Sequence, residues 1–201
     1  ELYPDRFYYH CDRDSFDYVY AIDDLADLKG RKLQKKRSHV NRFQADHPNY
    51  QVLPLDEQTR VDAYCMLQQW YAHREEIDPL NDFYLEKRAL ERAFAFQTQL
   101  ELEGIVIKED DRIIAFTMGS PLSEDTFDIH FEKAREDIDG AYGAINAGFA
   151  GYLREKYPEV RFLDREDDLG LPGLRKAKLS YHPDHMVEKF FACLTEEIYE
   201  D

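Results

Sequence analysis

Polar and apolar side chains alternate along residues 126–133, a pattern that could place acid–base groups in a cleft. We predict a strand here. On a strand whose two faces are both covered, a polar side chain without a hydrogen-bond partner costs about 1 to 3 kcal/mol. A cleft-lining imidazole or carboxylate can instead take a proton from an attacking amine or hydroxyl. His130 and Glu132 are therefore candidate catalytic residues, and the alternative is an edge strand with one solvated face. The alternation predicts two opposite faces, one with Phe127, Ile129 and Phe131 and the other with Asp128, His130 and Glu132.

A second group of charged residues surrounds a Gly/Pro-rich turn within residues 164–183. Acidic residues precede the turn, and basic residues follow it on a predicted short helix. If this segment leaves the carboxyl end of a sheet strand, its carboxylates could orient an amine and its cations could hold phosphate. The alternative is internal salt bridging that anchors a long loop. The candidates are Asp168 as a catalytic carboxylate, with Glu166, Arg175, Lys178 and Tyr181 as substrate-binding residues.

Residues 29–42, KGRKLQKKRSHVNR, form a basic segment with seven Lys/Arg and no acidic residue. The rest of the chain has 19 basic and 42 acidic side chains, a net charge of −23. Such a segment can hold a polyanion through phosphate contacts and counterion release. The alternative is a solvated helix face whose charges pair with acidic neighbours. The candidate phosphate-binding residues are Arg31, Lys32, Lys35, Lys36 and Arg37.

The elements that must position these groups follow from hydrophobic period and turn residues. A strand at 18–22 precedes a helix that carries the basic segment to about residue 47, with Gly30 as its weak point. A strand at 50–55 and two helices, 56–71 and 82–100, come next. The remaining predictions are a hairpin at 105–120, the strand at 126–133, a helix at 140–157, a strand at 161–164, a helix at 171–178 and a closing strand at 186–194.

This order resembles that of the GNAT acyltransferase fold, so we expect an α+β protein with a mixed, mostly antiparallel sheet flanked by helices. Acyl-CoA enzymes of that class cradle pyrophosphate in a Gly-rich loop at the position of Gly140. Three carboxylates stand in this loop and repel a pyrophosphate, although Tyr142 remains usable as a substrate-binding residue. The carboxylates are Glu136, Asp137 and Asp139.

Composition limits the other function classes. With 201 residues and 43% hydrophobic content, the chain can bury one core, or a core plus an arm. It contains no run of eighteen apolar residues and no signal-peptide pattern, so we expect a cytoplasmic protein without a transmembrane segment. Cys11, Cys65 and Cys193 are predicted to be reduced, buried thiols. We predict no metal site, because His182 and His185 lack a third ligand nearby.

Four motifs resemble the C-terminal domain of phosphatidylglycerol lysyltransferases and related bacterial proteins. They are LKGRKLQKKRSHVNRF, IHFEKA, GAYGAIN and, most specific, REDDLGLPGLRKAKLSYHP. That family is similar to the Fem aminoacyl transferases and is built from two GNAT-like domains in tandem. The resemblance implies an N-terminal strand and basic-helix arm at 1–48 and a GNAT-like domain at 49–201. This domain would be the second of the pair, with the first absent from the chain.

The resemblance also implies a reaction. An aminoacyl group would pass from aminoacyl-tRNA to an amine or hydroxyl of a small-molecule or peptide acceptor, with no tightly bound cofactor. The basic segment would hold tRNA phosphates, Arg175 and Lys178 the ester and terminal phosphate, and Glu132 or Asp168 the acceptor. The alternatives are an acyl-CoA-dependent N-acyltransferase and a non-catalytic GNAT-like binding module.

Overall fold

Nine strands occur in the computed structural model, which describes residues 6–77 and 83–195. They are β1 Phe7–Cys11, β2 Asp17–Ala21, β3 Gln51–Pro54, β4 Glu103–Glu109, β5 Arg112–Pro121, β6 Thr126–Ala134, β7 Phe162–Asp164, β8 His185–Val187 and β9 Phe190–Leu194. Seven form one sheet in the order β3-β4-β5-β6-β7-β2-β8, and β1 pairs with β9 separately. Neighbouring strands are antiparallel except β6 and β7, which are parallel.

Helices cover both faces of this sheet. They are α1 Ile22–Asp27, α2 Gln34–Asp46, α3 Arg60–Ile77, α4 Tyr84–Ala95, α5 Ala141–Lys156 and α6 Pro172–Leu179. One apolar core lies between the sheet and α1, α2 and α5, and a second lies between the sheet and the α3–α4 pair. The predicted α+β, GNAT-like fold is confirmed, since a helix links antiparallel β4–β5–β6 to parallel β7.

The N-terminal segment contributes an inner strand to the sheet. β2 pairs with both β7 and β8, and its Tyr18 and Tyr20 are fully buried in the first core. The proposed boundary at residue 48 stays a prediction. The predicted closing strand at 186–194 was wrong as a single element, because β8 ends at Val187 and β9 pairs with β1 instead.

The predicted continuous helix through the basic segment was also wrong. α1 ends at Asp27, its C-cap residue Leu28 has a left-handed backbone with φ 49°, and α2 begins only at Gln34. Gly30 between them has φ 82°, a conformation that glycine adopts without a Cβ clash. The basic residues before Gln34 therefore lie in a turn, and the others lie on α2.

A β-bulge between β5 and β6 overturns the predicted alternation along 126–133. Met118 pairs with Phe131 but Ser120 pairs with Asp128, so β6 contains one more residue than β5 over this interval. An extra residue reverses the faces beyond it. Phe131 consequently packs on the second core, while Glu132 turns toward α5 on the first.

We predict that Gly119→Ala is destabilising by about 1 to 3 kcal/mol, the usual cost of overpacking. A Cβ at Gly119 would lie 1.9 Å from the carbonyl oxygen of Asp128, so the bulge would have to shift. The matched control is Gly151→Ala in α5, where a Cβ meets nothing within 4 Å. That change should stabilise by up to about 1 kcal/mol through helix propensity. Urea denaturation of both variants measures the difference, and equal effects would contradict the bulge.

Candidate active site

Strand β6 extends beyond the end of its parallel neighbour β7. The two strands pair only where residues 126–128 face 162–164. β6 continues to Ala134, whereas β7 ends at Asp164. We call the region beyond the carboxyl end of β7 the β6–β7 cleft, a position where α/β folds bind ligands. Its side chains are Glu132, Asn146, Arg165, Lys36, Tyr20 and Tyr181.

A carboxylate held between two donors lies at the centre of the cleft. Arg165 donates from Nη2 to Oε1 of Glu132 at 3.0 Å, and Asn146 of α5 donates from Nδ2 to Oε2 at 3.2 Å. The Glu132 and Arg165 side chains are only 12% and 15% exposed. Because a buried carboxylate needs such partners, Arg165 and Asn146 fix the position of Glu132.

Two polar atoms of the same cluster have no hydrogen-bond partner among the described residues. They are Oδ1 of Asn146, an acceptor, and Nη1 of Arg165, a donor, and both are buried. A buried group of this kind costs about 1 to 3 kcal/mol when it stays unsatisfied. The two residues that bind Glu132 therefore carry one unsatisfied acceptor, on Asn146, and one unsatisfied donor, on Arg165.

Aromatic rings and a second cation complete the cleft. The Arg165 guanidinium lies 5.2 Å from the ring centre of Tyr181 and 5.8 Å from that of Tyr20. Lys36 of α2 places Nζ 4.0 Å from the Tyr181 ring centre. Burial, and next the Arg165 charge, lower the pKa of Lys36. Lys36 and Arg165 thus place two cations against the Tyr181 ring, an arrangement that suits a ligand that carries or develops negative charge.

The predicted catalytic carboxylate Asp168 lies away from this cleft and is fully buried. Arg175 binds both its oxygens at 2.8 Å, the Gly170 N–H donates to it at 3.0 Å, and the Tyr18 hydroxyl also donates to it. The Arg175 hydrogen bonds hold the pKa of Asp168 below its usual range. Arg175 also pairs with Asp14, so both side chains anchor the β7–α6 loop. This geometry favours the salt-bridging alternative over direct contact with substrate.

Lys178 has a similar internal role. It is 8% exposed, and Nζ donates to the backbone carbonyls of Arg165 and Glu166. Burial, followed by the nearby Arg165 charge, lowers its pKa to about 8. Lys178 thus holds the residue that pairs with Glu132. Its predicted contact with an ester or phosphate is not supported by these bonds.

His130 and Glu166 meet in a cluster apart from Glu132. His130 contacts Asp128 and Glu166 through Nδ1 and Ser120 through Nε2. The hydrogen bonds to Asp128, then to Glu166, raise the pKa of His130 to about 9. The two carboxylates thus favour the protonated imidazole in this arrangement, and the catalytic role of His130 stays a prediction.

Tyr142 and Tyr181, the two predicted tyrosines, have different positions. Tyr181 is 8% exposed and forms a wall of the cleft. Tyr142, at the start of α5, is 38% exposed, and its hydroxyl faces the Ala134 backbone and Trp70. Only Tyr181 contacts the Arg165 guanidinium.

The basic segment is partly neutralised by internal contacts. Lys32 pairs with Asp24 at 2.7 Å, and Arg37 donates to two backbone carbonyls in the turn before α2. Arg31 and Lys35 are exposed, and neither forms an ion pair within the described residues. Lys35 borders a shallow depression of about 460 Å³. The other residues that line it are Gln34, Ser38, His39 and Arg42.

The turn at Gly140 does not resemble an open pyrophosphate cradle. A Cβ at Gly140 would lie 2.7 Å from the His39 carbonyl oxygen, so α2 packs directly against the start of α5. The three carboxylates of the turn all form ion pairs: Glu136 with Arg74, Asp137 with Arg112, and Asp139 with His39 and Arg42.

The family of phosphatidylglycerol lysyltransferases, C-terminal domain, matches residues 1–193. The chain belongs to this family. A solved conserved protein of unknown function from Bacteroides thetaiotaomicron is 41% identical, with a TM-score of 0.87 over 96% of this chain and 64% of that one. The solved C-terminal domain of a candidate lysylphosphatidylglycerol synthetase from Agrobacterium fabrum is 17% identical, covers 94% and 62%, and has a TM-score of 0.63. That likeness concerns the fold alone.

The phosphatidylglycerol lysyltransferase-like chain spans only part of these relatives. An uncharacterised protein of Mycoplasmoides gallisepticum is 25% identical over 184 residues, 88% of this chain but 55% of that protein.

Among the described helices, none is long and apolar enough to cross a membrane. The prediction of buried thiols was wrong, because Cys11 and Cys65 are exposed and Cys193 is partly exposed.

Sequence reasoning missed two residues that hold Glu132. Arg165 lies in an acidic run, where one arginine looks like ordinary charge balance, and Asn146 follows Ala144 and Ile145 on the inner face of α5. A fully polar side chain on a predicted buried helix face was the available signal for Asn146.

Proposed function

We propose that this chain is the acyl-transfer domain of an enzyme that moves an aminoacyl group from aminoacyl-tRNA to an amine or hydroxyl acceptor. The family match supports an acyltransferase-like function in general terms. The observation that carries the finer proposal is the unpaired donor and acceptor beside Glu132. The donor, the acceptor and the site residues are all part of the proposal.

An aminoacyl ester fits the polarity of the β6–β7 cleft. Its carbonyl oxygen can accept from Nη1 of Arg165, and its α-ammonium can donate to Oδ1 of Asn146. Negative charge develops on the carbonyl oxygen when a nucleophile attacks, and a fixed cation stabilises that charge. Lys36 adds a second positive charge close to Arg165.

Glu132 would act as the general base, and then as the general acid, in this reaction. The acceptor nitrogen or oxygen forms a bond to the ester carbon and loses one proton to the Glu132 carboxylate. The bond between that carbon and the ribose oxygen then breaks, and the proton goes to the ribose oxygen. An aminoacyl ester is already activated, so positioning and charge stabilisation can account for much of the rate.

In this proposal, tRNA binds to the exposed residues of the basic segment, next to the cleft. Arg31, in the turn before α2, and Lys35, on α2, face solvent, and Lys36 of α2 reaches the Tyr181 ring inside the cleft. Phosphates bound outside would thus leave an acceptor end near Arg165. An acyl-CoA donor fits less well, because α2 packs on the start of α5 and three carboxylates stand in that turn.

We predict that Arg31→Ala/Lys35→Ala weakens tRNA binding and reduces its salt slope by about 1 to 2. The reason is that each lost phosphate contact removes its released counterion. The matched control is Arg88→Ala/Arg92→Ala, which removes two exposed charges from α4. Fluorescence anisotropy with labelled aminoacyl-tRNA across a salt series measures the slopes.

Equal slopes in the two double variants would contradict a tRNA surface at α2. A rise in melting temperature with acetyl-CoA, but none with aminoacyl-tRNA, would favour the acyl-CoA donor, since a ligand that binds the native state stabilises it. Binding of tRNA without any transfer would favour a non-catalytic module.

A further inference from the structure

We propose that Asp128, His130 and Glu166 form a binding site for one zinc ion. These side chains bring one carboxylate oxygen, one imidazole nitrogen and a second carboxylate oxygen within 4.8 Å of one another. Nδ1 of His130 lies 3.3 Å from Oδ2 of Asp128 and 3.6 Å from Oε1 of Glu166. The proposal goes beyond the transfer reaction and does not depend on it.

The two distances from Nδ1 of His130 match the edges of a tetrahedral zinc site. With zinc–ligand bonds of about 2.0 to 2.2 Å, two ligands of a tetrahedron lie about 3.3 to 3.6 Å apart. Three protein ligands leave a fourth position for water, as in open zinc sites. An imidazole among the ligands favours zinc over magnesium and calcium, which prefer oxygen alone.

The surroundings of His130 support a ligand role. Ser120 holds the far nitrogen, with its Oγ 2.8 Å from Nε2, and so fixes the ring with Nδ1 toward the carboxylates. Such an outer contact on the second ring nitrogen is a regular feature of metal-binding histidines. The bulge at Gly119 brings Ser120 and His130 together across the two strands.

Close carboxylates around this cluster provide a second reason for a cation. Asp164 lies directly opposite Asp128 in the parallel ladder, so two like charges are neighbours, and the buried Oδ1 of Asp128 has no hydrogen-bond partner within residues 6–77 and 83–195. The nearby Lys189 is engaged with Asp17 at 2.6 Å. A divalent cation would relieve this repulsion and tie the loop after β7 to β6.

Zinc titration of the EDTA-treated chain by calorimetry tests the site, with magnesium as the comparison ion. We expect one zinc per chain, no comparable magnesium binding, and a loss of affinity of at least about tenfold in Glu166→Gln and in His130→Gln. Ser120→Ala should weaken binding by about tenfold through the lost outer contact. Glu166 is half exposed, so its variant should fold, and circular dichroism checks each protein.

The matched control is His185→Gln, which removes an exposed histidine that also lies beside an aspartate, Asp184, at 2.9 Å. It should bind zinc like the wild type. Absence of saturable zinc binding, or unchanged affinity in Glu166→Gln, would overturn the site and leave His130 as an imidazolium paired with two carboxylates. Neither outcome bears on tRNA binding or transfer, which are measured separately.

Discussion

Replacing Asp168 with alanine should lower the free energy of unfolding by about 3 to 5 kcal/mol, because several donors lose one buried acceptor, at about 1 to 3 kcal/mol for each unsatisfied buried group. Asp168 is fully buried and receives hydrogen bonds from Arg175, Gly170 and Tyr18. Its loss leaves the Arg175 guanidinium without its main partner. Asp167→Ala, one residue earlier in the same loop, should change stability much less, and urea denaturation compares the two.

The dependence of the free energy of unfolding on pH should also change in the Asp168→Ala variant, below about pH 4. The Arg175 hydrogen bonds lower the pKa of Asp168 below its unfolded value of about 3.9, so the folded state binds fewer protons. This contribution is present above about pH 4 and is lost as pH falls through the lowered pKa. Asp168→Ala should therefore lose less stability than the wild type below pH 4. A variant with wild-type stability but no transfer activity would instead support the catalytic role predicted from sequence.

The order of the central elements, from β3 to α6, was predictable because most of them have a strong local signal. The hairpin β4–β5 has a period of two and an acidic turn at Asp110 and Asp111, and α4 has an apolar face at helical spacing. The position of β2 between β7 and β8 depends on long-range pairing, which periodicity does not reveal.

The candidate site was less predictable because one extra residue in β6 decides on which face of the sheet Glu132 lies. The bulge opposite Gly119 turns Glu132 toward Asn146 and leaves His130 with Asp128. Strict alternation predicted one shared face for His130 and Glu132. Sequence thus identified Glu132 as a candidate but placed it with the wrong neighbours.

Substitutions of the Glu132–Arg165 ion pair in the β6–β7 cleft should have the second large effect, on both transfer rate and stability. We expect Glu132→Gln to reduce the transfer rate by about 10²- to 10³-fold, because the proton acceptor is lost and Arg165 is reoriented. Arg165→Met should have a comparable effect through the lost cation. Each single variant also leaves one buried charge unpaired, which should destabilise the fold by about 3 to 5 kcal/mol.

The double variant Glu132→Gln/Arg165→Met separates the two effects. It leaves no buried charge unpaired, so much of the lost stability should return, with a large coupling energy in the double-mutant cycle. Transfer from aminoacyl-tRNA should stay as low as in the single variants, because neither the carboxylate nor the guanidinium is present. The assay uses protein carrying residues 1–201 and a panel of amine and hydroxyl acceptors. Transfer that recovers together with stability would mean that the pair only holds the sheet ends, and that the chemistry occurs elsewhere.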